Sequence, residues 1–507
     1  MLRRAGPAAW RRGRRRCTLA PPKGPGSHTD LDKDALRLRE LGYEQELRRD
    51  LHGFENVALG FATISPVVGL YAVVLVGTLV AGPAWVWVLP VALLGQCLLL
   101  AVYSELAAEF PLTGGPYQWS RRLLGGAYGW FNGWVAVSAY AVANTTIAYL
   151  GAPWALALLD IDPSPRTLVA TGIVLVVVCA LVGSLGIRVL KRAVQAGVAA
   201  EVAALVGIGL ALLLVFREQD LSILTDTLGA EALSGSVGAG LLAALAVGGW
   251  VFIGFDACVA GAEETRDAAR HVPRAVWIAM LAVAVLVVLN AVAAELAHPD
   301  PGAIVRGDDA DPVTTAVVGS FGSWSAKPFA AVVLVAFLSC GMAAQSLTAR
   351  TIYSMARDGV LPASGVLRRV DRRGTPIGGV AATAVVACAG LLLGLDSTAI
   401  GTLIVFGTAA IYMAFLLVAL AALVARVRGT WRPRGRVQLG RAGMVVNALA
   451  VAWLGFETVN IAWPREALAP PGAPFYQVWA APLVLAVIAS TGLLYLVAAR
   501  PHRPERA

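Results

Sequence analysis

Charge is scarce in this 507-residue chain. Only 14% of its residues are Asp, Glu, Lys or Arg, against 58% that are hydrophobic. The mean hydropathy is +0.70. A soluble core does not need so much apolar surface, so a water-soluble globular protein is excluded and a polytopic membrane protein is implied. Histidine is also rare. The five (His28, His52, His271, His298 and His502) fall in expected tails or loops. A membrane enzyme would need clustered histidines or paired membrane carboxylates, so that class fits poorly. The six cysteines (Cys17, Cys97, Cys179, Cys258, Cys340 and Cys388) stand singly, with no CxxC. Neither a disulfide framework nor a zinc site is expected. There is no GxxxxGK[ST] segment, so ATP-driven transport has no support.

What the chain has instead is long apolar runs. A helical span takes about 20 apolar residues. Twelve such spans are predicted, at 56–80, 85–109, 128–152, 167–186, 194–216, 237–261, 275–297, 328–349, 378–394, 397–424, 442–463 and 476–499, with a weak border near Asp396. The net charge of +9 invites a nucleic-acid reading, but its distribution argues otherwise. With a cytoplasmic amino terminus, 36 of the 41 Lys and Arg residues fall in inner loops or tails and 5 in outer loops. This asymmetry is the positive-inside rule, with both termini cytoplasmic. One misplaced span would invert every later loop and spoil it. Tryptophans support the borders: Trp85, Trp87, Trp154, Trp324, Trp463 and Trp479 near outer ends, Trp119 and Trp431 near inner ones. Trp250 lies inside the sixth span, away from any interfacial belt.

Residues 1–53 read as a polar tail. Met1 to Arg16 is rich in arginine, but no apolar core follows until Val57, so a signal peptide is not expected. The stretch from Asp34 to Leu51 reads equally as a short amphipathic helix or a solvated tail. The longest loops, 298–327 outside and 350–377 inside, are too short to be domains.

Two spans are interrupted. The first carries Ile64-Ser65-Pro66-Val67-Val68-Gly69, the sixth Gly254-Phe255-Asp256-Ala257-Cys258. Unwound backbone at membrane depth persists only where it is buried in protein or lines a cavity. Pro66 cannot close its backbone hydrogen bond, and Gly69 tolerates unwound dihedrals. Amides around Ser65 to Gly69 would then sit at the positive end of the following half-helix, a seat for a carboxylate; a simple proline kink is the plainer alternative. In the sixth span, the carbonyls of Val251, Phe252 and Ile253 would end a half-helix and accept from a cation. Asp256 would hold an ammonium group or merely cap the second half-helix. Trp250 would close over a substrate or simply pack. Paired breaks in corresponding spans mark a small-molecule site at the bilayer midplane.

The segment Trp250-Val-Phe-Ile-Gly-Phe-Asp-Ala-Cys-Val-Ala-Gly-Ala-Glu-Glu-Thr265, followed by Val272-Pro273-Arg274, resembles the sixth-helix signature of the amino acid–polyamine–organocation transporter superfamily. The first break is similar to that of its amino acid/choline branch, which includes GABA permeases. Glu105 to Trp119 resembles the loop after helix two, and Ala356 to Pro362 with Gly374-Thr375-Pro376 the loop after helix eight. The resemblance covers about 54–500. It implies an all-α, leucine-transporter-type fold: a ten-helix core at 54–424, built of inverted repeats at about 54–216 and 237–424, then two more helices at 425–499 and a tail at 500–507. It also implies that Ser65, Val68 and Gly69 hold the substrate carboxylate, that Val251, Phe252 and Ile253 hold its amino group, and that Trp250 gates the site.

Three further groups attract attention. Glu105 and Glu109 lie one helical turn apart near the inner face, where they would anchor a cytoplasmic gate or simply be interfacial charge. Glu201 sits in an otherwise apolar fifth span. Burial favours the neutral form of a carboxyl, which suits a proton carrier; a plain hydrogen bond to a neighbouring helix is the alternative. Ser339 and Ser346 are weaker candidates for a coupling ion. The expected function is a plasma-membrane permease for an amino acid or related amine such as GABA, working by alternating access and driven by protons. An exchanger or a choline or polyamine permease is the near alternative, and a channel or membrane sensor the distant one. The expected partners are the substrate, the bilayer and protons, with no nucleic acid, metal or cofactor.

Overall fold

The computed structural model describes residues 28–395, 401–469 and 472–501. The arginine-rich start from Met1 to Arg16 and the border near Asp396 lie outside the described residues. Among the described residues the chain is helical, with twelve stretches long and apolar enough to cross a membrane. Lipid offers no partner to backbone amides and carbonyls, so an apolar chain at membrane depth must satisfy them within its own helix. The third helix, Gly126–Leu158, and the eighth, Ala326–Arg357, pack along each other near the centre. The first span, Gly53–Ile64 and Pro66–Ala81, and the sixth, beginning at Val237–Gly248, pack against that core. The helices Pro165–Ser184, Ile187–Leu214, Gly443–Ala462 and Ala480–Ala499 form an outer shell. Only 22–28% of their apolar windows is buried in protein, against 67–72% for the first, third, sixth and eighth.

Helix borders differ from the expected ones where polar residues continue a helix beyond the apolar run. The eighth helix was expected to end at residue 349 and runs to Arg357. Arg350 and Arg357 therefore belong to a helix, and their spacing of seven puts them on one face. The seventh helix, Ala268–Ala297, starts before its expected border, carrying Pro273 in its first turns.

Two tryptophans assigned to the interfacial belt are core residues instead. Trp85 is fully buried and its indole N–H donates to the Glu295 carboxylate at 2.7 Å. Trp119 is fully buried, donates to the Phe110 carbonyl at 3.0 Å and packs edge-on against Tyr103. An indole can be buried once its N–H finds an acceptor, and hydropathy does not reveal that acceptor. Trp87, Trp324 and Trp463 are exposed, as a belt requires.

The expected amphipathic stretch is a helix at His28–Glu40 followed by irregular chain. That chain lies against the face where the sixth and eighth helices end. Leu51 makes a short β-type pairing with the segment after the sixth span: its N–H donates to the Glu264 carbonyl at 2.9 Å, and its carbonyl accepts from the Arg266 N–H at 3.0 Å.

Candidate substrate site

A single residue separates the two helical halves of the first span. The helix ends at Ile64, Ser65 takes φ 40° and ψ 105°, and the next helix starts at Pro66. Proline suits that position because the first helical N–H has no partner to lose. A positive φ at a serine is strained, and such strain persists only where the surroundings impose it. Here they do. The Ser65 hydroxyl donates to Glu201 Oε1 at 2.7 Å, and the Val67 N–H donates to the same oxygen at 3.0 Å. The Val68 N–H reaches Ser65 Oγ at 3.3 Å, and the Gly69 N–H reaches the Ser65 carbonyl at 3.0 Å. The amides that follow Pro66 are therefore occupied, and the one at Val67 is held by a carboxylate. It belongs to the protein's own fifth helix. Glu201 is fully buried, and its second oxygen has no partner.

The second break is longer. After a tight turn at Gly249–Phe252, Ile253 is extended, Gly254 has φ 106°, and helical structure resumes at Ala257–Ala260. Among the described residues the carbonyls of Val251, Phe252 and Ile253 accept no hydrogen bond, and the Gly254 N–H donates none. The two breaks touch. A Cβ on Gly69 would lie 3.2 Å from the Val251 Cα, and one on Gly254 would lie 2.8 Å from the Thr63 carbonyl oxygen. With φ at 106°, Gly254→Ala combines strain with collision against rigid backbone. We expect it to cost about 1–3 kcal/mol, seen as a lower melting temperature in detergent.

Between the breaks and the third and eighth helices lies a cavity of about 30 Å³, room for about two water molecules. Val68, Trp250, Ile253 and Asp256 line it, together with Tyr140 and Asn144 of the third helix and Thr348 of the eighth. Ser65, Gly69, Val251 and Phe252 lie behind this lining, so half of the expected contact residues shape the site without facing it. Asp256 stands at the N-cap of the second half-helix, but its side chain makes no capping bond. One of its oxygens accepts from the Tyr140 hydroxyl, and the other has no partner. The Asn144 side-chain N–H groups donate to the Tyr140 carbonyl and the Thr348 hydroxyl, both at 2.8 Å.

The other expected residues lie apart from this cavity. Ser339 donates to the Val194 carbonyl at 3.3 Å, between the eighth and fifth helices. Ser346 accepts from Arg350. Glu105 pairs with Arg426 and accepts from Trp431 and the Leu439 amide. Glu109 takes Arg37 at 3.1 Å and the amides of Arg434 and Gly435. These two glutamates therefore hold the loop between the tenth and eleventh helices and the N-terminal segment.

The ion pairs that close this face were not anticipated. Arg350 pairs with Glu264, and Arg357 grips Glu263 with bonds of 2.8 and 2.9 Å. The Tyr43 ring stacks on Arg357, 4.0 Å from guanidinium to ring centre, and its hydroxyl donates to Asp358 at 3.0 Å. Burial, reinforced by Asp358, raises the Tyr43 phenol and keeps that proton in place. The signal available in the sequence was the adjacent Glu263-Glu264 pair opposite two arginines seven residues apart. For the cavity it was Asn144-Thr145-Thr146, a polar triplet inside an apolar span.

A family model described as "Amino acid permease" matches residues 54–488, which is most of the chain. The chain belongs to the amino acid permease family. Its membership carries this permease into the amino acid–polyamine–organocation superfamily. It is 26% identical to amino-acid permease BAT1 of Arabidopsis thaliana, over 84% of this chain and 87% of that protein. It is also 26% identical to the branched-chain amino acid permease BcaP of Bacillus subtilis, over 83% of this chain and 90% of that protein. Cationic amino acid transporter 4, vacuolar, of Arabidopsis thaliana is 27% identical over 78% of this chain and 66% of that protein. The relatives are permeases, which move their substrates without transforming them, and the twelve helices long and apolar enough to span a membrane among the described residues make this permease a multi-pass membrane protein.

Proposed function

We propose that this permease moves an amino acid or related amine across the plasma membrane by alternating access, with Glu201 as the proton-responsive group. Both termini face the cytoplasm in this reading, which the arginine distribution supports. The two breaks are equivalent positions of a five-plus-five inverted repeat, and one helical bundle rocks about the cavity between them. No bond of the substrate is made or broken.

One observation carries the coupling. The Glu201 carboxylate, buried in the membrane core, takes both the Ser65 hydroxyl and the Val67 amide at the first break. An ionised carboxylate only accepts, and it sits at the positive start of the helix from Pro66 to Ala81. Protonation removes the charge and weakens both bonds. The break is then free to change shape, which links a proton to movement of the first span. The pairs Glu263–Arg357 and Glu264–Arg350 close the cytoplasmic side and must part when it opens.

Uptake into proteoliposomes tests this reading. A radiolabelled amino acid should accumulate when an inward proton gradient is imposed, and collapse of the gradient should stop it. Saturable exchange that ignores the gradient would support an antiporter and remove Glu201 from the mechanism. If no amino acid or amine accumulates or exchanges, transport itself is refuted and a sensor becomes the better reading.

A further inference from the structure

We propose that the chain joining the tenth and eleventh helices is a docking strap for anionic lipid headgroups, with Arg428, Arg432, Arg434, Arg436 and Arg441 as its contacts. This surface lies outside the substrate cavity and stands whether or not Glu201 couples protons.

The stretch from Arg428 to Ala442 holds five arginines and no Asp or Glu. All five are exposed. Exposure alternates along it: Arg432, Arg434, Arg436 and Gln438 face out, while Trp431, Pro433, Gly435, Val437 and Leu439 are half-buried. Such alternation belongs to extended chain, so the three central arginines stand on one side, each about 7 Å from the next. The shape is imposed by two buried carboxylates. The Arg434 and Gly435 amides donate to Glu109 Oε2 at 2.5 and 2.7 Å, and the Leu439 amide donates to Glu105 Oε1 at 3.0 Å. A Cβ on Gly435 would lie 2.8 Å from the Ala108 carbonyl oxygen, so the strap presses directly on the helix that ends at Glu109. Both glutamates hold the strap's backbone and leave its arginine heads outside. Among the described residues Arg428, Arg432, Arg434 and Arg441 have no acidic partner, and Arg436 has a loose one, Asp267 at 3.4 Å.

Position selects the partner. The strap starts after Val427, the last residue of the tenth helix, and ends at Gly443, the first residue of the eleventh. Val427 is exposed, and so are Met444 and Val445 in the first turn of the eleventh helix. Only 28% of that helix's apolar window is buried in protein, so lipid chains flank it. Arg428 and Arg441 therefore sit where acyl chains give way to headgroups, and arginine stems can lie along the apolar surface with their heads at phosphate level. A guanidinium fork matches a phosphate's oxygens in geometry and charge. Arginine clusters directly beyond a membrane helix attract anionic lipid in this way. A soluble anion would meet the same charges but would leave Met444 and Val445 uncovered; a lipid covers both.

Titration of the detergent-solubilised permease with dioctanoyl phosphatidylglycerol, read by thermophoresis against dioctanoyl phosphatidylcholine, tests the strap. The anionic lipid should bind at least ~30-fold more tightly, and salt should erode the difference. Arg432→Gln, Arg434→Gln and Arg436→Gln together should bring it down to the affinity of the neutral lipid. The same change at Arg368, Arg369 and Arg372, in the loop after the eighth helix, should alter it less than ~3-fold. Gly435→Ala keeps every arginine but drives the strap off Ala108, and should weaken the anionic lipid about fivefold. Melting temperatures check that each variant folds, and the comparison of lipids on the unaltered protein needs no variant. If the two lipids bind alike, or the folded triple variant keeps the parent's preference, the strap is overturned. Equal loss in the Arg368, Arg369 and Arg372 variant would make the effect one of net charge and overturn it too. If inorganic phosphate or a polyglutamate peptide displaces the anionic lipid at equal concentration, the assignment to lipid falls.

Discussion

Glu201→Gln is expected to abolish uptake driven by a pH gradient while substrate binding stays measurable. Glutamine keeps the size of the side chain and an acceptor oxygen for the Ser65 hydroxyl and the Val67 amide, so the break should keep its shape. What it loses is the ability to gain and release a proton. In the parent protein one carboxylate oxygen accepts both bonds and the other is buried without a partner, an arrangement that the surrounding apolar helices do nothing to stabilise. A group held this way changes its hydrogen bonding when its charge changes, and here the partners are the joint of the first span. Gradient-driven uptake should fall to background, a loss of at least ~100-fold, and exchange of bound substrate should survive. Thermal shift with the transported amino acid measures the binding that remains. If the variant still accumulates substrate in response to an imposed gradient, Glu201 has no part in coupling.

The second large effect is expected at the face closed by buried ion pairs. Arg350→Ala should destabilise the protein by about 3–5 kcal/mol, because it leaves the Glu264 carboxylate buried and without its counter-charge. The Arg350 and Glu264 side chains are only 5% and 1% exposed, so solvent does not screen the pair. Removing both charges is a different experiment. Arg350→Met combined with Glu264→Gln deletes the pair without stranding a charge, and should recover most of the lost stability. It should not recover normal gating. With this tie absent, the closed state loses an interaction that the open state never had, and this face should open more often. Thiol labelling of a cysteine introduced beside the cavity would report that opening, and unfolding in detergent would report stability. Equal destabilisation of the single and double variants would contradict the stranded-charge argument.

Much of the fold was legible because lipid imposes one simple demand. Backbone groups must be paired within helices, and apolar runs of span length reveal those helices directly. Both breaks were legible for the same reason: Pro66 and Gly254 are exceptions within such runs, and the protein is interrupted at both. The occupant of the first break was not legible. Ser65 and Glu201 are 136 residues apart, and nothing local to either reveals the other. The same holds for Asn144, whose side-chain nitrogen is taken up by Tyr140 and Thr348. The two misread tryptophans make the converse point. Trp85 looked interfacial because only a folded chain brings Glu295 to its indole.

Low charge and twelve apolar runs determined by themselves that this chain crosses the membrane repeatedly, and Pro66 and Gly254 marked where two of those runs are interrupted. These are local properties, read by lipid and by water at each point along the chain. Only the tertiary structure decided which groups meet at those breaks. It filled the first with the protein's own carboxylate, left one Asp256 oxygen unpaired beside the second, and closed one face with buried ion pairs. Each of those outcomes depends on helices far apart in sequence being packed side by side, where a hydrogen bond or an ion pair reaches only about 3 Å.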